Sequence, residues 1–130
     1  MSLDWLEESP SAEEYVALRE HCGLSPKTVQ AAEIGLANSL YVVSLKDGDA
    51  LAGFARLVGD GGCYVQLVDV MVRAGYRGHG YGAHLVQHCL AWAKDELPES
   101  CYLSLIADAR AESLYLRAGF KRSVGMELFL

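Results

Sequence analysis

No apolar run in this 130-residue chain approaches the ~20 residues that span a bilayer, so no membrane partner is expected. The sequence does not begin with a basic segment followed by an apolar stretch, which predicts no secretion signal. The four cysteines, Cys22, Cys63, Cys89 and Cys101, show no C-x-x-C spacing. They read as reduced thiols of a cytoplasmic protein. A basic excess is missing too: the net charge is −6, which argues against nucleic acid as a partner. No repeat, low-complexity tract or linker divides the chain, and its length predicts a single domain over residues 1–130. Hydrophobic residues at 52% and charged residues at 22% are the balance of a globular protein with a real core.

Another absence is local. Between Val70 and Lys94 there is no Asp or Glu, whereas Arg73, Arg77, His79, His84 and His88 all lie there. Inside this acid-free window Gly75, Gly78, Gly80 and Gly82 fall within eight residues. They separate an apolar run ending at Val72 from a helical pattern. Glycine lets backbone N–H groups approach a ligand closely. The first N–H groups of a helix have no intrahelical partner and attract negative charge. The loop is therefore a candidate anion site, most simply for phosphate or pyrophosphate.

Other readings of this window have less support. A P-loop needs Lys and Ser or Thr after its last glycine, and neither is present. Gly78-His79-Gly80-Tyr81-Gly82-Ala83 formally fits the dinucleotide pattern G-x-G-x-x-[GA]. Its glycines, however, begin six residues beyond the strand, follow an antiparallel meander, and no acidic residue closes the next strand. His84 and His88 stand at i, i+4, but the Glu of H-E-x-x-H and a third ligand are missing, so no metal is expected. Cys89 next to His88 is a poor nucleophilic pair, because adjacent helical residues point apart.

Periodicity and turn signals place the elements. Residues 3–7 form a short strand. Ser11 and Glu14 have capping-box spacing and open a helix that Gly23 ends. Ser25-Pro26 predicts a second helix start, running to about Leu36. Residues 40–45 and 51–58 are strands joined at Asp47-Gly48, a hairpin signal. Residues 63–72 form a third strand whose near-continuous apolar core predicts a central position. Leu85, Val86, Cys89, Leu90, Ala93 and Leu97 recur at the helical period. A strand over 102–106 follows, then a helix over 109–118 capped by Asp108 and ended by Gly119. Residues 126–130 form a last strand. The result is α/β in class: a mixed sheet in which an antiparallel meander precedes a splayed parallel pair, with helices on both faces.

Two motifs in this frame resemble one family. Arg77-Gly78-His79-Gly80-Tyr81-Gly82 is similar to the R/Q-x-x-G-x-G/A acetyl-CoA signature of the GNAT superfamily of N-acetyltransferases. Asp108, Ala111, Leu114-Tyr115 and Gly119-Phe120 resemble its second motif, in which Asn is common where Asp108 stands. After Phe120 the sequence offers one strand where the family often has a hairpin.

The resemblance implies acetyl transfer from acetyl-CoA to an amine by direct attack. It implies that Val70, Met71 and Val72 line the thioester and pantetheine arm. Arg77, Gly78, His79, Gly80, Tyr81, Gly82 and Ala83 would hold the pyrophosphate, and Asp108 and Tyr115 would border the cofactor. Tyr115 would be the acid that protonates the leaving thiolate. Asp69, a charge inside an apolar strand, is the candidate base for the amine, with a structural pair to an arginine such as Arg56 as the other reading. The favoured acceptor is a primary amine of a small molecule. A peptide amine, or an idle CoA-binding module, are the alternatives. A short C-terminal edge leaves room for a second copy, so a homodimer is compatible with the sequence.

Overall fold

The computed structural model describes residues 2–130. Its elements run in the order β1 (Leu3–Leu6), α1 (Ala12–His21), α2 (Val29–Ala37), β2 (Tyr41–Asp47), β3 (Ala50–Gly59), β4 (Tyr64–Val72), α3 (Tyr81–Glu96), β5 (Tyr102–Ser104) and α4 (Glu112–Arg117). The five strands lie side by side in sequence order. β1 to β4 are mutually antiparallel, and β4 and β5 are parallel.

Helices cover both faces because the strands alternate. Val43, Ala55, Leu57, Val65 and Leu67 pack against Leu85, Val86, Cys89 and Ala93 of α3. Phe54, Leu51 and Met71 face the other way, onto Ala12, Tyr15 and Leu18 of α1 and Ala32 of α2. Period-2 strands between two period-3.6 helical faces give this three-layer arrangement.

Local chemistry sets the boundaries. Ser11 and Glu14 form the expected capping box. α2 begins three residues later than the Pro26 signal implies, at Val29. The Thr28 hydroxyl caps it by accepting from the Ala31 N–H at 3.1 Å. Ser25 is unavailable as a cap because its carbonyl and hydroxyl both accept from Arg19, at 2.8 and 3.0 Å. The tight turn before β4 is tied by the Asp60 carboxylate, which accepts from the N–H groups of Gly62, Cys63 and Tyr64. These bonds hold the Asp60 pKa below its usual value.

Two expected strands come out differently. β5 stops at Ser104 instead of running to residue 106, because β4 pairs with it only from Tyr64 to Gln66. The strand expected over residues 126–130 does not form: this segment pairs with nothing and its apolar side chains are exposed. The sheet therefore ends at β5.

Gly59 has φ +148, and an added Cβ would lie 2.2 Å from the Tyr64 carbonyl oxygen. Backbone cannot yield there as a side chain would. Gly59→Ala should therefore lower unfolding stability by about 2 kcal/mol or more, read as a fall in the urea midpoint.

Candidate functional site

The site begins with an irregularity in β4. Arg56 faces Val68 and Phe54 faces Met71, so Asp69 and Val70 together oppose the single residue Ala55. This is a β-bulge, and Asp69 adopts the left-handed conformation within it, with φ 62. Asp is among the few non-glycine residues that enter this region readily. An extra residue reverses the facing of everything after it. Val65 and Leu67 point to α3, whereas Met71 beyond the bulge points to α1. Val70 and Val72 now pack on the α3 side.

The bulge is held by charge. The Asp69 side chain is 4% exposed, and both its oxygens are engaged. Oδ1 accepts from Arg19 at 2.5 Å, and Oδ2 accepts from Arg56 at 2.6 Å and from the Tyr15 hydroxyl at 2.7 Å. Arg19 is tied further to Ser25, and Arg56 donates to the Gly35 carbonyl at 2.9 Å and to Ser39 at 3.1 Å. Burial raises the Tyr15 pKa, and the negative charge of Asp69 and the hydrogen bond to it raise it further. For Arg56, burial opposes the charge, but the hydrogen bond and charge of Asp69 prevail and its pKa is raised. Sequence reasoning named Arg56 but did not find Arg19. The available signal was the i, i+4 spacing of Tyr15 and Arg19, which puts both on one helix face.

After Gln66, three residues before Asp69, β4 and β5 no longer pair, and a cleft of about 440 Å3 opens between them. Its walls include Val70, Met71 and Val72 on one side, Ile106, Asp108 and Tyr115 on the other, and Cys22 and Leu24 at its mouth. Arg73 donates its N–H to Ala52 on β3. By alternation, the polar backbone groups of Met71 turn to β3, and those of Val70 and Val72 turn to the open side. The Val72 carbonyl is reached there by Arg77 Nε at 2.8 Å and by the Cys22 thiol at 3.6 Å.

The glycine loop closes one end of the cleft. Gly80 caps α3 in the left-handed conformation. Gly78 and Gly80, at φ +85 and +79, have open space where a Cβ would be. The first helical bond of α3 runs from His84 to the Gly80 carbonyl, which leaves the N–H groups of Tyr81, Gly82 and Ala83 at an uncapped helix start. A second cleft joins Gly78, Gly80, Tyr81 and Gly82 to Val72 and Tyr115. His79 packs on Tyr81 at the loop surface.

Tyr115 borders both clefts and packs edge-on to Phe120. Burial raises its pKa, and the nearby Asp108 adds to the effect. Asp108 turns toward Arg110 instead: it accepts from the Arg110 N–H at 2.9 Å and pairs with its guanidinium at 3.0 Å. The Arg110 hydrogen bonds bring its pKa down to about 2.

The remaining candidates are explained by packing. His84 and His88 stack on Trp5. Cys89 is fully buried against the sheet, and burial pushes its thiol to about 12. Among the described residues no three potential metal ligands converge, and no helix is long and apolar enough to cross a membrane.

Comparison with known proteins adds to this geometry. A family model described as the acetyltransferase (GNAT) family matches residues 3–120. A structure from methicillin-resistant Staphylococcus aureus, a protein of unknown function described as a probable acetyltransferase, is 42% identical. It superposes with a TM-score of 0.93, over 98% of this chain and 99% of that one. A GNAT family acetyltransferase from Streptococcus pneumoniae is 25% identical over 99% and 97% of the two chains, with a TM-score of 0.75. A predicted acetyltransferase from Clostridium acetobutylicum, solved with acetyl-CoA, shares the fold at 15% identity, with a TM-score of 0.76 over 98% and 96%. No curated protein matches the sequence.

The Asp69 cluster makes a stability prediction that does not depend on activity. Asp69→Ala leaves two buried guanidiniums without their anion, which should cost about 3–5 kcal/mol. Urea unfolding of the purified variant measures it.

Proposed function

The chain belongs to the acetyltransferase (GNAT) family, and from that premise we propose that it transfers acetyl from acetyl-CoA to a primary amine of a small molecule by direct attack. The observation that carries this reading is the divergence of β4 from β5. It leaves the backbone of Val70 and Val72 facing a cleft with the glycine loop at one end and a protonated phenol on the far wall.

The residues fit the cofactor. The open left-handed glycines Gly78 and Gly80 let the N–H groups of residues 78–83 reach a pyrophosphate without side-chain hindrance. Arg77 lies beside them and supplies positive charge to the same anion. Its Nε now occupies the Val72 carbonyl, and that carbonyl becomes available to a pantetheine amide when the guanidinium turns to phosphate. Acetyl-CoA supplies an activated acyl group on a thiol leaving group. The backbone N–H groups on the open side of β4 polarise the thioester carbonyl, where negative charge develops.

Tyr115 gives a proton to the departing thiolate. Its raised pKa keeps the phenol protonated well past neutrality, as an acid requires. Asp69 acts by fixing the bulge, with both oxygens held by Arg19, Arg56 and Tyr15. Deprotonation of the amine then falls to solvent. Asp108, turned to Arg110, caps the start of the Ala109–Ala111 turn and borders the cleft. The cleft volume of about 440 Å3 and its apolar mouth at Cys22, Leu24 and Ile106 suit a small amine with an apolar body. Cytoplasmic residence fits four free thiols.

Acetyl-CoA should raise the melting temperature in proportion to the logarithm of its concentration; no shift at millimolar acetyl-CoA overturns the proposal. Tyr115→Phe should lower kcat about 100-fold while the KM for acetyl-CoA changes about 2-fold or less. Steady-state CoA release across a panel of small amines and peptides reads both the acceptor class and this split. Unchanged turnover in Tyr115→Phe would return the tyrosine to a packing role.

A further inference from the structure

Two of the four cysteines stand side by side. β4 and β5 run parallel, with Tyr64 opposite Tyr102, Val65 opposite Leu103 and Gln66 opposite Ser104. One step earlier on each strand are Cys63 and Cys101. The ladder reaches them: the Tyr102 N–H donates to the Cys63 carbonyl at 2.8 Å. That bond joins the peptide leaving Cys63 to the peptide leaving Cys101. The two Cα atoms are therefore one strand spacing apart, ~4.8 Å. A disulfide spans Cα separations of about 4.4–6.8 Å.

Both thiols belong to one face. Side chains alternate along a strand, and Cys63 has the parity of Val65 and Leu67, which pack on the α3 side. Cys101 and Leu103 pack against the same core. The next pair in the register, Tyr64 and Tyr102, meets edge-on with ring centroids 6.1 Å apart, so opposed side chains here do come together. The cysteine backbones are tied down as well. The Cys63 N–H donates to the Asp60 carboxylate at 2.9 Å, and the Cys101 N–H donates to the Pro98 carbonyl at 3.3 Å. The other two cysteines lie elsewhere: Cys89 is buried in α3, and Cys22 lines the mouth of the cleft.

Access to the pair is unequal. Cys63 is exposed and Cys101 is half-buried. An accessible thiol beside a second one that can resolve it is the arrangement of a redox-sensitive site.

We infer that Cys63 and Cys101 are an oxidisable pair that forms a reversible disulfide across the start of the parallel strands, with a small-molecule disulfide as the oxidant. The Cys63 thiolate attacks one sulfur of that disulfide. One small thiol leaves with the electron pair and takes up a proton, and a mixed disulfide remains on Cys63. The Cys101 thiolate then attacks the Cys63 sulfur and expels the second small thiol. Two protein thiols are oxidised, and one small disulfide is reduced to two thiols.

The bond acts as a clamp. β5 is held to the sheet by three paired residues, fewer than join any other two neighbouring strands, and a short ladder opens locally. A disulfide at the residue before Tyr102 ties that ladder shut. It also closes a covalent loop around the glycine segment and α3. Neither cysteine lines the cleft, so the clamp does not rest on the acetyl-transfer reading.

The reduced full chain at micromolar concentration is incubated with glutathione disulfide, quenched in acid, and its thiols are counted in denaturant. The four free thiols should fall to two, the mass should drop by two hydrogens, and peptide mapping should find Cys63 joined to Cys101. Dithiothreitol should restore all four. Cys101→Ser should stop with glutathione attached to Cys63, and Cys63→Ser should keep its three thiols. Hydrogen exchange at the Tyr102, Leu103 and Ser104 amides should be slower in the oxidised parent than in the reduced one. Four thiols left in the parent, glutathione retained on its Cys63, a disulfide between two copies, or one that includes Cys22 or Cys89 each overturns the pairing. A Cys63–Cys101 disulfide with unchanged exchange in β5 overturns the clamp.

Discussion

The Asp69 carboxylate is where the layers of this protein meet. It sits on β4, one of its guanidiniums comes from α1, the other from β3, and that second guanidinium also binds the α2 backbone. Burying a charge is costly unless it is paired and hydrogen-bonded. Here every oxygen has a partner, so the cluster can exist only when four elements are in place together. Its geometric result is larger than its energetic one. Holding Asp69 left-handed inserts one residue into β4 and flips the facing of the strand beyond it. The cleft opens along the stretch of β4 that no longer pairs with β5, and the bulge sets which side chains of that stretch face it.

The two walls of the cleft differ in kind. The β4 wall is backbone, backed by a fully buried Phe54 and Met71, and it changes little when side chains change. The opposite wall is built from short-helix side chains, Tyr115 among them, carried by six residues of α4. Fixed backbone donors suit a part shared by every reaction, the activated acyl group. Side chains on a short helix and in the Cys22–Leu24 segment after α1 can change without disturbing that backbone. Family membership therefore says more about the acetyl donor than about the amine.

Much of this was legible in the sequence because it depends on local rules. The capping box at Ser11, the Asp47-Gly48 hairpin, the α3 periodicity and the glycine cluster are all short-range signals, and each element formed where they put it. The two motifs around Gly80 and Tyr115 pointed to the family. Four features were not legible, each for a long-range reason. The start of α2 moved because Ser25 is captured by Arg19, a tertiary contact. β5 is short because its neighbour pairs with it only as far as Gln66. Asp69 stood out as a charge among apolar residues, and a bond to Arg56 was among its readings, but periodicity could not show that Arg19 and Tyr15 would close on it from α1. Residues 126–130 have strand periodicity, yet periodicity names no partner.

The capping box bears on the cleft through α1. Tyr15 and Arg19 stand one turn apart on that helix, and both close on Asp69. Ser11, an exposed residue, fixes where the helix starts and hence the angle at which those two side chains arrive. Fraying of the first turn would loosen Tyr15 before Arg19. The order of α1 and the facing of β4 beyond its bulge are in that sense one mechanical variable, and a surface cap becomes a remote control on the shape of the groove.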